Sequence, residues 1–204
     1  MSAPEEHQSA ADAWDSMYTG TPPWDTGRPQ PALLAATRAG VLHGRVLDVG
    51  CGTGEHVLMA AEAGLEAAGL ELSPRAQALA EAKAQARGAS HVRFLLGDAL
   101  KPSSVEGAPY DTLTDCGVFH TFSDEDRPRY VSGLRQLIRT GGTYVMLVFS
   151  DEEPPGWGPR RVSQAELRSA LADGWEITSI EPATLDLTID PGSARGWLTI
   201  AQAT

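Results

Sequence analysis

Beyond residue 31 the chain alternates short apolar runs with stretches whose apolar residues recur every three or four positions. The first pattern predicts buried strands, the second amphipathic helices. Read in order, the spacing gives a helix over 32–40, a strand over 45–49, a helix over 55–63 and a strand over 65–71. Ser73 and Pro74 form an N-cap and first-turn pair for a helix over 74–87, which ends at Gly88. Strands over 91–98 and 110–117, a helix over about 127–139, a turn at Gly141–Gly142 and a strand over 143–150 follow. Crossovers of this length belong to a doubly wound α/β fold, a mostly parallel sheet with helices on both faces.

The last third breaks the alternation. Ser163 caps a helix over 164–172, and strands are expected over 175–187 and 197–203. Only a loop around Asp190, Pro191 and Gly192 separates them, so they should pair antiparallel as a hairpin. At the other end, residues 1–7 read as disordered. Residues 8–18 carry Trp14 and Tyr18 four apart, a possible helical face, and 19–31 is dense in proline and glycine. That divides the chain into an arm over 1–30 and one domain over 31–204.

The 204 residues bear a formal charge of −11, which disfavours a nucleic-acid backbone or an anionic membrane as partner. No apolar run reaches membrane length and no secretory signal is legible at the N-terminus, which suggests a cytoplasmic location. Cys51 and Cys116 have no metal-ligand spacing, and no metal site is expected. They read as small packing residues.

Chemistry concentrates where strands end. Residues 47–54, LDVGCGTG, place Asp48 at a strand end and glycine at 50, 52 and 54, just before a helix. Such a turn lets backbone approach a ligand closely. Glu71, Asp98 and Asp115 end the next three strands, so four acids should converge with the glycine turn on one crevice. Glu71 is suited to accept from two ribose hydroxyls, and Asp98 to read an adenine edge. An acidic, lysine-poor pocket suits a cation and would repel a pyrophosphate. None of Tyr18, Tyr110, Tyr130 and Tyr144 has a lysine four residues on, which disfavours a nicotinamide dehydrogenase. The stretch DCGVFHTF carries neither an Asn/Asp-Pro-Pro-aromatic cluster nor a Pro-Cys nucleophile, which disfavours a nucleic-acid methylase.

On these residues the chain resembles class I S-adenosylmethionine-dependent methyltransferases over about 30–204. The segment PPWDTGRPQPAL (22–33) is similar to the arm of thiopurine methyltransferase-like enzymes. With DTLTDCGVFHTF, the resemblance is closest to bacterial methyltransferases acting on small heterocyclic toxins. It implies a seven-stranded sheet of order 3-2-1-4-5-7-6 and an arm folded over the cofactor. It implies S-adenosylmethionine bound by Trp24, Gln30, Asp48, Gly50, Cys51, Gly52, Glu71, Leu72, Asp98, Ala99 and Asp115. A small aromatic or heterocyclic acceptor, methylated on nitrogen, sulfur or oxygen, would meet Trp14, Tyr18, Phe119, Phe122 and Trp157. His120, with Asp115, is the catalytic candidate, as general base or acceptor-orienting group; the alternative is a histidine packed beside the cofactor. The loop over 151–161 is long enough to be an acceptor-side lid. A different reading is a cofactor-binding sensor or inactive partner subunit of the same fold.

Overall fold

The computed structural model describes residues 9–204; the expectation of disorder over 1–7 lies outside them. Seven strands form one sheet in the order β3-β2-β1-β4-β5-β7-β6. They are β1 (Arg45–Val49), β2 (Glu66–Glu71), β3 (Arg93–Leu96), β4 (Tyr110–Cys116), β5 (Ile138–Phe149), β6 (Trp175–Asp186) and β7 (Ser193–Ala203). β1 to β5 pair parallel, while β7 runs antiparallel between β5 and β6. The helices are α1 (Ala10–Met17), α2 (Pro31–Arg38), α3 (Glu55–Glu62), α4 (Pro74–Ala86), α5 (Asp126–Leu137) and α6 (Gln164–Ala170). Among the described residues no helix is long and apolar enough to cross a membrane.

Strand alternation sorts the core onto two faces. Leu47 and Val49 pack with Tyr130, Leu134, Leu137 and Leu167 from α5 and α6. Val46 and Val145 pack on the opposite face with Leu33, Val57, Leu58, Ala80 and Ala84 from α2, α3 and α4. Local caps act where the sequence put them. Ser73 Oγ accepts the Ala76 N–H at 3.1 Å, and Ser163 forms a capping box with Glu166.

Two boundaries differ most from expectation. Gly141–Gly142 is not a turn before β5: the strand already begins at Ile138 and the pair forms an irregularity inside it, where the register with β4 shifts. β5 reaches back to Ile138 because Tyr110 of β4 still pairs with it there, whereas β7 pairs only from Thr143 onward. β7 begins at Ser193, four residues before the expected 197, because Ser193 to Gly196 pair with β6 through the backbone. Pairing there does not need an apolar side chain.

The N-terminal segment is fastened at several points. Asp15 on α1 accepts from Ser73 Oγ and the Arg75 N–H, each at 2.8 Å, and so sits at the N-terminus of α4. Gln30 is buried, and its amide makes a two-way clasp with the backbone of Asp186, accepting at 2.7 Å and donating at 3.0 Å. The Thr188 N–H donates to Pro23 O at 2.9 Å. Gln30→Ala is expected to leave both Asp186 groups without their partner and to cost roughly 1–3 kcal/mol. A urea midpoint and limited proteolysis within 19–29 measure this; unchanged cleavage would show that the clasp does not hold the segment down.

Candidate functional site

β1 lies between β2 and β4, so the crossovers leave in opposite directions and a crevice opens beyond the strand C-termini. A cavity of about 720 Å³ occupies it, within the usual range for small ligands. Its floor is the glycine turn. Gly50 and Gly52 have φ of +68° and +52°, and Gly50 and Cys51 donate to Leu70 O at 2.8 and 3.0 Å. A Cβ on Gly50 would stand 2.2 Å from Val118 Cγ2, and one on Gly52 3.1 Å from Tyr18 Oη. Bare backbone is therefore a steric requirement of this floor.

Glu71 organises one wall. Its Oε1 accepts the N–H groups of Leu72 and Ser73, both at 2.9 Å, and its Oε2 accepts that of Gly52 at 2.7 Å. Burial pushes its carboxyl up, against the pull of these three donors. Oε2 carries a single bond and retains acceptor capacity on the cavity side. Asp98 is held by the Leu100 N–H at 2.9 Å and Lys101 Nζ at 3.2 Å, beside Gly97 and Ala99. Burial and the carboxylates of Glu71 and Asp48 push the Cys51 thiol well up, so it is no poised nucleophile.

Trp14, Tyr18, Trp24, Gln30, Leu72, Phe122 and Trp157 also reach the cavity surface. Trp24 Nε1 donates to Tyr18 Oη at 3.1 Å and stands edge-on to Trp14, with ring centroids 5.8 Å apart. Phe149, Trp157, Leu185 and Leu187 form a contiguous apolar wall at the other end.

Three expected ligand-facing residues do not reach the cavity. Asp115 is wholly buried and its carboxylate is consumed by four donors: the N–H groups of Val118 and Phe119 and the hydroxyls of Tyr130 and Tyr144. It braces the strand end and does not face a ligand. Phe119 turns inward against Tyr130, beneath the Arg127 guanidinium. Asp48 points under the turn, where Oδ1 accepts from Thr114 Oγ1 at 2.6 Å; pairing of β1 with β4 brings these residues side by side. Its Oδ2 is buried without a hydrogen-bond partner, 3.7 Å from His56 Nδ1.

His120 lies on the 3-10 turn Phe119–Thr121 after β4. Its Nδ1 accepts the Phe149 N–H at 3.1 Å. A backbone amide only donates, so Nδ1 is unprotonated and the ring proton sits on Nε2. Burial and the charges of Arg127 and Arg161 lower its pKa to about 3. The general-base reading therefore fails on geometry: the nitrogen able to accept is occupied, and the other is a donor.

Some participants left no signal in sequence. His56 accepts the Gln30 N–H at Nε2, 3.1 Å, joining Asp48 to the N-terminal segment. Thr53 Oγ1 donates to Asp25 Oδ1 and receives from Lys83 Nζ, which also pairs with Glu55 at 2.7 Å. Partners so distant along the chain have no spacing rule to mark them.

The methyltransferase-domain family model matches residues 46–142. The 2-heptyl-1-hydroxyquinolin-4(1H)-one methyltransferase of Mycobacteroides abscessus is 33% identical, with 95% of each chain covered. This chain belongs to the S-adenosylmethionine-dependent methyltransferases. A probable thiol methyltransferase of Arabidopsis thaliana is 29% identical over 85% of this chain and 77% of its own. A solved structure from work on conversion of a disulfide bond into a thioacetal group during echinomycin biosynthesis superposes with TM-score 0.86. It is 34% identical and covers 95% of this chain and 92% of its own. The methyltransferase uses S-adenosylmethionine, and the site fits it. The glycine floor admits close backbone approach, the donor-side acids suit a cation, and the buried orphan Asp48 Oδ2 adds negative potential beneath the turn.

Proposed function

We propose that this methyltransferase acts on a small aromatic or heteroaromatic acceptor, at an oxygen, sulfur or nitrogen atom. The observation that carries the reading is the apolar wall of Phe149, Trp157, Leu185 and Leu187 that lines the cavity. When bound, S-adenosylmethionine supplies an electrophilic methyl group on a sulfonium. The backbone of Gly50, Cys51 and Gly52 accommodates its amino-acid portion, with Asp48 and His56 setting the charge beneath. Glu71 and Leu72 hold the ribose, and Asp98 and Ala99 flank the adenine. Trp14, Tyr18 and Trp24 in the arm over 1–30 cover the cofactor side, with Gln30 as the fastening. Phe122 and Trp157 sandwich the acceptor. Alignment and exclusion of water by these groups can account for about 7–11 kcal/mol of the barrier.

The relatives named for a hydroxyquinolone and for thiols support two acceptor classes, N-hydroxy heteroarenes and aromatic thiols. Formation of S-adenosylhomocysteine is expected with 2-heptyl-1-hydroxyquinolin-4(1H)-one or with substituted thiophenols. No turnover on either set, with cofactor binding intact by calorimetry, would overturn this acceptor class.

A further inference from the structure

The cavity is electrically lopsided. Carboxylates crowd the glycine-turn end: Glu71 on the wall, Asp48 beneath, Asp98 and Asp25 at the margins. The apolar end is backed by arginines instead. Arg161 stacks on Phe149 and Trp157, 5.6 and 5.4 Å from their centroids. Its hydrogen bonds go to the backbone carbonyls of Glu153, Pro154, Trp157 and Pro159, none of which carries charge. Arg127, under His120, meets Glu166 at 3.3 Å, but its Nε and Nη2 are buried without partners. Glu166 is shared with Arg160, which also pairs with Asp124, and the buried Glu153 carboxylate of the same loop accepts the Arg195 N–H.

His120 stands between these arginines and the cavity. The Phe149 N–H fixes its proton on Nε2, which lies toward Gly117, where a Cβ would be 3.3 Å away. Nε2 is not among the buried unpartnered atoms and His120 is on the cavity surface, so this N–H is open to a ligand. Among the other titratable groups of the wall, Glu71 keeps acceptor capacity beside the glycine turn, Asp98 meets Lys101 and His56 Nε2 accepts the Gln30 N–H. Asp186 pairs with Arg28 at 2.8 Å, Glu55 with Lys83 and Arg87, and Asp25 accepts from Thr53. Tyr18 Oη accepts from Trp24, and burial raises its pKa.

We propose that this methyltransferase takes its acceptor as a preformed anion, an ionised N-hydroxy heteroarene or thiolate, received by the His120 Nε2–H and the field of Arg127 and Arg161. The proposal rests on the acceptor class given above and adds a rule of selection by acidity. The acceptor loses its proton to solvent before binding. Its lone pair then forms the bond to the methyl carbon as the carbon–sulfur bond breaks, and that bond's electron pair remains on sulfur. Anion and sulfonium become two neutral molecules, and no protein group gains or loses a proton.

The test is the pH profile of kcat/KM for 4-nitrothiophenol and 4-methoxythiophenol, whose thiols ionise at well-separated pH. The acid limb is expected to follow each acceptor's own ionisation and to stay in place in His120→Gln, which keeps a neutral donor. His120→Phe, which lacks the donor, should lose about 10–100-fold in kcat/KM at every pH without moving the limb. Independently of turnover, nitrogen-15 NMR of the wild-type protein should show His120 neutral and protonated at Nε2 from pH 5 to 8. A limb at one pH for both thiols that vanishes in His120→Gln, or a His120 titration near neutrality, overturns the proposal but leaves the acceptor class standing. No product from either thiol or from the hydroxyquinolone at any pH, with S-adenosylmethionine still bound, removes both.

Discussion

Replacing Glu71 with alanine is expected to weaken binding of S-adenosylhomocysteine roughly 100-fold. Hydrogen bonds to a charged group contribute about 1.5–3 kcal/mol each, and each 1.4 kcal/mol is tenfold in affinity. One such bond is the ribose contact proposed for Oε2. The remainder comes from the turn, because the same carboxylate orients the N–H groups of Gly52, Leu72 and Ser73. Glu71→Gln should fall nearly as far, since its NH₂ end must oppose one of those N–H groups. Titration calorimetry checks both, and an unaltered dissociation constant in either would remove Glu71 from the binding role.

The second large effect is on stability. Asp115→Ala strips four donors of their common acceptor inside a fully buried region, two of them tyrosine hydroxyls on α5 and β5. A loss of about 3–5 kcal/mol is expected, the range for breaking a buried charged network. Burial pushes the carboxyl of Asp115 from 3.8 to about 6. Between those values the folded chain holds a proton that the unfolded chain has released. The contribution of Asp115 is therefore fully present below about pH 4 and is lost as pH rises through 6, by about 3 kcal/mol. A carbon-13 carboxyl titration with its midpoint near 6 would bear this out. One near 4 would mean that the four donors outweigh burial.

Much of the scaffold is legible in sequence because its causes are local. The Ser73–Pro74 start of α4, the apolar runs of β1 and β5, and the glycine floor each follow from a few adjacent residues. The strand-end rule brings Glu71 and Asp98 to the crevice, but it misjudges Asp48 and Asp115. A strand end fixes where a Cα lies; neighbouring donors decide where the carboxylate turns. Thr114 draws Asp48 beneath the turn, and Tyr130 and Tyr144 draw Asp115 inward. The same holds for His120, whose donor character depends on the amide of Phe149, 29 residues away. Arg161 is one basic residue among many until the fold lays it across two aromatic rings.

The clasp between Gln30 and Asp186 joins positions 156 residues apart. At ribosomal rates of roughly 5–20 residues per second, about 8–30 s separate the synthesis of its two halves. The N-terminal segment that lines the cavity, although made first, is thus pinned there only after the sheet has largely emerged. A nascent chain cannot shut its own entrance ahead of the walls.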